Sequence, residues 1–451
     1  MLRPENTTST AVGAGNLISE PGQLTRTWSG IALFNLSLLT MLVQSVVVAT
    51  AIKGLLIPYL LILMQAAKGF ILSVIERPRV QVVAPFVCFV AGFTVYVGIS
   101  QLLNLAYAPR LDNLVLVSLE NANVTLLRSS LFTQGLYLTT CVLFFLYTLG
   151  YLKTVETTQP VMKLVRAGLV FFVAFGFYEF IGYLLTGGNV DFISNRITGD
   201  ERTYSTFQTF DLAGLTIPRM KSLAGEASMF AFSVVPFVAL FYFLRDRFWI
   251  VLLTAAVLST STTAYIGLFC LALFESLLAR RLGKLLLGAM GLMATLWLVF
   301  PNTVASLVDF AMEKFRLEHM SGIDRMSNFQ HAWQFFANSD ILHMMFGYGF
   351  GYIRSTDGFT TLLVNVGVVG LIAFLWFLVY PVVRLGAQTP YHRGLLAATA
   401  VSVVMIMISV PEFYYLHVWL LAALAWFEYH KLSTVSRANR PMPAMQTRIV
   451  Q

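Results

Sequence analysis

FTTLLVNVGVVGLIAFLWFLVYPVV, residues 359–383, runs for twenty-five positions without a charged side chain. About twenty apolar residues in a helix, rising 1.5 Å each, cross the ~30 Å hydrocarbon layer of a bilayer. In lipid the backbone must satisfy its own hydrogen bonds, so the stretch reads as a transmembrane helix rather than a strand. Comparable segments recur on either side, near 31–52, 54–75, 80–104, 130–151, 166–186, 226–244, 248–259, 262–279, 285–300, 394–410 and 412–430. The expected fold is all-α, a polytopic transmembrane helical bundle of about twelve spans. The segment 31–52 exceeds the apolar core of a signal peptide and reads as the first of these helices. The segment 248–259 is too short to cross alone. The run Ser259-Thr260-Ser261-Thr262-Thr263 that follows predicts a helix broken inside the protein.

Composition agrees. Of 451 residues, 57% are hydrophobic and only 12% charged, against roughly a quarter in soluble domains. The net charge of +8 is topological rather than a nucleic-acid footprint. With the N-terminus inside, the inner segments collect eighteen of the thirty basic residues against six acids, and the outer segments hold fewer bases than acids. Both termini are therefore expected in the cytoplasm: residues 1–30 as a disordered tail, 431–451 as a second tail, and 31–430 as one transmembrane domain. Cys88, Cys141 and Cys270 lie in apolar runs and form neither a disulfide framework nor a zinc pattern. No metal or cofactor is expected.

Two outer loops stand out by length, 187–225 and 301–358, and loops of this size are usually functional. The first carries Asn195-Arg196, Asp200-Glu201-Arg202, and then Pro218-Arg219-Met220-Lys221-Ser222-Leu223-Ala224-Gly225-Glu226. Bases and a carboxylate thus meet where the chain re-enters the membrane. The bland alternative is interfacial snorkelling, with Glu226 complementing a helix dipole. In the second loop, Ser321-Gly322-Ile323-Asp324 predicts a capping box opening a helix of about fifteen residues. Met326, Phe329, Trp333 and Phe336 would share one face of it. Asp324, Ser327, His331, Gln334 and Asn338 would share the other, with Arg325 on the boundary. Such a helix would lie on the membrane surface. The stretch Phe346-Gly347-Tyr348-Gly349-Phe350-Gly351-Tyr352 precedes Arg354 and Asp357. It reads as a tight turn whose glycine N–H groups could approach a phosphate. Glu179, about two turns below the outer end of its helix, is a candidate as an intramembrane carboxylate.

Together these outer elements resemble the O-antigen polymerase/O-antigen ligase superfamily of bacterial membrane glycosyltransferases. The resemblance rests on Arg219 through Glu226-Ala227-Ser228-Met229-Phe230, then Asp324-Arg325, Trp333, Phe346-Gly347-Tyr348-Gly349 and Leu362 through Leu371. It covers roughly 195–380, while the first 160 residues match only in hydropathy. Ligases of the superfamily often carry a His-Asn pair before the tenth helix. This chain has Asp357-Gly358-Phe359 there, which favours the polymerase.

The resemblance implies a GT-C-like enzyme of the bacterial cytoplasmic membrane, joining undecaprenyl-pyrophosphate-linked oligosaccharides at the outer leaflet for O-antigen or exopolysaccharide. A flippase and a chain-length regulator are its expected partners. The donor is already activated, so the protein must neutralise a pyrophosphate and deprotonate a sugar hydroxyl. Arg219, Arg325 and Arg354, with Lys221 as a point charge, are expected on the pyrophosphate. Arg196, Arg202, Gly347 and Gly349 are further substrate contacts. Glu226 is the first choice for the base or acceptor-orienting group, followed by His331 and Asp357. Competing readings are the ligase, a lipid-linked oligosaccharide flippase, a lipid II-type polymerase and a non-catalytic assembly scaffold.

Overall fold

The computed structural model describes residues 32–48, 55–75, 80–106, 126–195, 208–212, 215–279 and 320–438. Helix α1 spans 32–40, followed by α2 (Ile57–Ile75), α3 (Val80–Ala106), α4 (Ser129–Val155) and α5 (Gln159–Thr186). A two-stranded antiparallel hairpin, β1 (Thr209–Leu212) and β2 (Leu215–Pro218), pairs Thr209 with Pro218 and Leu212 with Leu215. Helices α6 (Ala227–Phe243), α7 (Phe248–Leu258) and α8 (Thr262–Ala279) follow, then α9 (Met320–Ala337) and the short α10 (Ile341–Phe346). The chain closes with α11 (Gly358–Leu385), α12 (Pro390–Ser409) and α13 (Leu416–Ala438). Among the described residues, five helices are long and apolar enough to cross a membrane: Ala84–Ala106, Ser129–Val155, Gln159–Thr186, Gly358–Leu385 and Pro390–Ser409. The expected segment 285–300 lies outside the described residues.

Helix α6 is apolar on every face, which suits only a fully surrounded helix. It is buried almost throughout from Ala227 to Phe241 and packs against α7, α8 and α12. Helix α13 closes the other side of the core against α4 and α11. By contrast, α3 presents Val87, Val95, Ile99, Leu102 and Leu105 at the surface, the pattern of a helix with lipid as its neighbour.

Three expectations about element bounds need correction. The segment 31–52 is not one helix: it is helical only over 32–40 and continues irregularly through 41–48. Its freed backbone groups are met by protein. Gln44 N and Ser45 N donate to Leu223 O, at 2.8 and 2.9 Å, and Asn195 bridges Val47 N and Val47 O, at 2.7 and 2.9 Å. Irregular backbone inside a membrane domain is tolerated only under that condition. The last helix starts at Leu416 and reaches Ala438 rather than filling 412–430. In the second loop the helix has already begun at Met320, so Ser321 sits inside it and does not open it as a cap.

The broken helix at Ser259–Ser261 is present: α7 ends at Leu258 and α8 starts at Thr262, with Thr260 at φ +46°. The 187–225 loop folds back onto this break, where Met220 N donates to Leu258 O at 3.1 Å.

Candidate functional site

The geometry starts from a second break. Helix α11 is interrupted at Gly367 (φ +67°, ψ −175°). A side chain there would come within 2.3 Å of the Met345 carbonyl oxygen, so glycine is required on both steric and conformational grounds. The interruption frees helix carbonyls, and the glycine-aromatic turn takes them. Tyr348 N donates to Val364 O at 2.9 Å and Gly349 N to Asn365 O at 3.0 Å. The Asn365 side chain then accepts from Ile353 N at 2.8 Å and donates to Ile353 O at 3.0 Å. Behind the turn, His343 bonds Asp340 and Asn104, and its ring stacks on Tyr348 with centroids 4.0 Å apart. The turn is thereby locked, and with it the backbone that carries Arg354, the residue after Ile353.

A cavity of about 290 Å³ opens there. Its polar walls come from five places in the chain: Glu226 and Ser228 at the start of α6, Arg325 and Asn328 one turn apart on α9, Arg354 to Thr356 after the turn, Ser409 at the end of α12, and Glu412 before α13. Glu226 occupies the N-cap position of α6 but makes no side-chain cap bond; its carboxylate instead accepts from Ser228 Oγ at 3.3 Å. Arg354 is ion-paired to Glu412. That carboxylate raises the proton affinity of Arg354 above that of an isolated guanidinium, against the effect of burial, with Tyr414 and Tyr415 adding in the same direction.

Arg219 stands behind this wall. Its Nη1 donates to Gln208 Oε1 at 2.8 Å, while Nε and Nη2 donate to Ser259 O and Thr260 O at 3.3 and 3.4 Å. It therefore caps the break between α7 and α8 and ties the hairpin to it. Burial lowers its proton affinity and so does the charge of Arg325, against Tyr265 and Glu226, which raise it. Arg219, Arg325 and Glu226 thus belong to one electrostatic neighbourhood.

The remaining expected site residues go elsewhere. Lys221 is 1% exposed and is held by Glu179 and Asp191, each at 2.6 Å, so it is a buried ion-pair partner and not a cavity group. Glu179 is its counter-ion. Asp357 is buried as the N-cap of α11, accepting from Thr360 N at 2.7 Å, Thr360 Oγ1 at 2.7 Å and Ser355 Oγ at 3.0 Å, which leaves it structural. Gly347 N donates to His343 O and Gly349 N to Asn365 O, so neither N–H is open to a phosphate. His331 is exposed on α9 and does not line the cavity. Arg196 and Arg202 lie outside the described residues. On α9, Ala332 and Phe336 face the core while Met326, Phe329 and Trp333 stay exposed, so the apolar face divides between protein and surroundings.

Glu412 is the charged cavity group that the sequence does not mark, because its position merges with the apolar run 412–430. The available signal was Val410-Pro411-Glu412, a proline and a carboxylate directly after a helix end. Arg128, before α4, was also passed over. It is 4% exposed, with its guanidinium 4.9 Å from the Tyr352 ring centroid and Nη1 3.4 Å from Tyr352 O.

No protein-family model, curated protein or solved structure matches the chain.

Proposed function

We propose that this chain is a membrane glycosyltransferase that polymerises lipid-pyrophosphate-linked oligosaccharide units, with the cavity between α6, α9 and α12 as its active site. The observation that carries the reading is the meeting of two arginines, Arg325 and Arg354, with two carboxylates, Glu226 and Glu412, in one cavity at one end of an apolar helical bundle. Transfer from a pyrophosphate-linked donor needs cationic donors on the leaving group and a proton acceptor for the incoming hydroxyl. The cavity holds both. In this reading the bundle has about twelve spans, lies in a bacterial cytoplasmic membrane with both termini inside, and opens the cavity to the outer leaflet. A flippase delivers units to it, and a chain-length regulator limits the product.

Among the described residues, carboxylates and no histidine line the cavity, which supports a polymerase over a histidine-dependent ligase. A transporter would carry its charged groups along a path through the bundle. Here Glu226, Arg325, Arg354 and Glu412 share one cavity.

The test is Arg325→Lys. Lysine keeps the charge but loses the two-pronged geometry that suits phosphate, and the expected loss is roughly 10²–10³ in rate. Cells should accumulate single repeat units on the outer leaflet. Units trapped on the inner leaflet would point to a flippase, and normal polymer at matched protein level would refute the role of Arg325.

A further inference from the structure

The Arg354–Glu412 pair is asymmetric. The Glu412 side chain is 5% exposed and sits in the turn between α12 and α13, whereas the Arg354 side chain is 53% exposed at the cavity mouth. The arginine can swing towards an incoming anion; the carboxylate cannot follow it. Both line the same cavity, so a pyrophosphate entering it competes with Glu412 for the same guanidinium.

We propose that the donor's pyrophosphate replaces Glu412 as the partner of Arg354, and that the carboxylate so released is the base of the reaction. This rests on the glycosyltransferase reading above. The other charged or titratable groups facing Glu412 are Glu226 and Arg325 across the cavity, Tyr415 on its wall, and Tyr414 beside the pair. Released from Arg354, a Glu412 oxygen is free to accept a hydrogen bond from the acceptor's hydroxyl. The acceptor's hydroxyl proton passes to a Glu412 oxygen, and the hydroxyl oxygen forms the new bond to the donor's anomeric carbon. The bond from that carbon to pyrophosphate breaks, and its electron pair leaves on the phosphate, which Arg354 and Arg325 neutralise. Glu226, held by Ser228, orients the acceptor. The carboxylate is therefore released only while a donor is bound.

The experiment uses the full chain in detergent or nanodiscs, with inorganic pyrophosphate as the titrated probe, alongside polymer formation in cells. Glu412→Gln removes the competitor for Arg354, so it should bind pyrophosphate roughly threefold or more tightly than wild type. The same variant should lose polymer formation by at least about 100-fold. A residue that merely props up Arg354 gives the opposite sign, weaker binding, and that result overturns the proposal. Tighter binding with normal polymer overturns the base assignment. Arg354→Gln should bind pyrophosphate more weakly than wild type, and adding Glu412→Gln to it should give no gain. A gain in that double variant would show that Arg354 is not the contested partner. Wild type that fails to bind pyrophosphate at all would instead count against the glycosyltransferase reading itself.

Discussion

Lys221 Nζ lies 2.6 Å from Glu179 Oε1, a carboxylate carried two turns inside α5, and the same distance from Asp191 Oδ2 just beyond that helix. The loop entering α6 is thus pinned to α5 by a buried triad. The charges are excluded from water, so neither acid can be left without the cation.

Removing the cation should therefore cost more than removing the whole group. Lys221→Met leaves two buried carboxylates uncompensated, with an expected loss of about 3–5 kcal/mol. Lys221→Met combined with Glu179→Gln and Asp191→Asn should recover much of it. Thermal unfolding of the purified protein checks the order; a single variant as stable as wild type contradicts the arrangement.

Acid should loosen the same junction. Burial raises the Asp191 carboxyl, but the Lys221 hydrogen bond, the Ser194 bonds and the Lys221 charge outweigh it and hold the group at about 2. A depressed carboxylate contributes stability that is present above its unfolded value, near 4, and is lost as pH falls through about 2. The contribution is roughly 2 kcal/mol. Hydrogen exchange in residues 187–195 should accelerate between pH 4 and pH 2 in wild type, and this acid-induced step should be absent in Asp191→Asn.

The break in α11 depends on a single residue. Gly367→Ala places a methyl group 2.3 Å from Met345 O at a positive φ, which forces the glycine-aromatic turn off the helix. An expected cost of at least about 2 kcal/mol follows from strain at such a position. Arg354 should be displaced with the turn, so pyrophosphate binding should fall along with the melting temperature. A variant with unchanged binding would show that the turn does not position Arg354.

Orientation is open to chemical labelling. Asn338, at the end of α9, is exposed, and Asn338→Cys should react with an impermeant thiol reagent in intact spheroplasts. Thr434→Cys, an exposed position on α13, should react only after lysis. The reverse pattern would invert the proposed topology.

Hydropathy was enough to read the helical, membrane-type class and most of the long helices. The apolar runs behind α4, α5 and α11 each reach the length a bilayer demands, and helical hydrogen bonds are local. The break after α7 was legible too, because Ser259-Thr260-Ser261 is a polar interruption of an apolar run. Three of the proposed cavity groups, Glu226, Arg325 and Arg354, were marked by charge in an otherwise apolar chain. The sequence could not tell Arg325 from Lys221. Both are cations near a membrane entry, yet one faces a cavity and the other is closed over by Glu179 and Asp191. Nor could it separate Asp357 from Glu412. One is consumed by Thr360 and Ser355 at a helix cap, while the other meets Arg354, 58 residues away in the chain. Local pattern determines which residues are helical and which are charged. Whether a charge is neutralised within the protein or left facing a ligand depends on partners brought from distant segments, and only the tertiary structure supplies them.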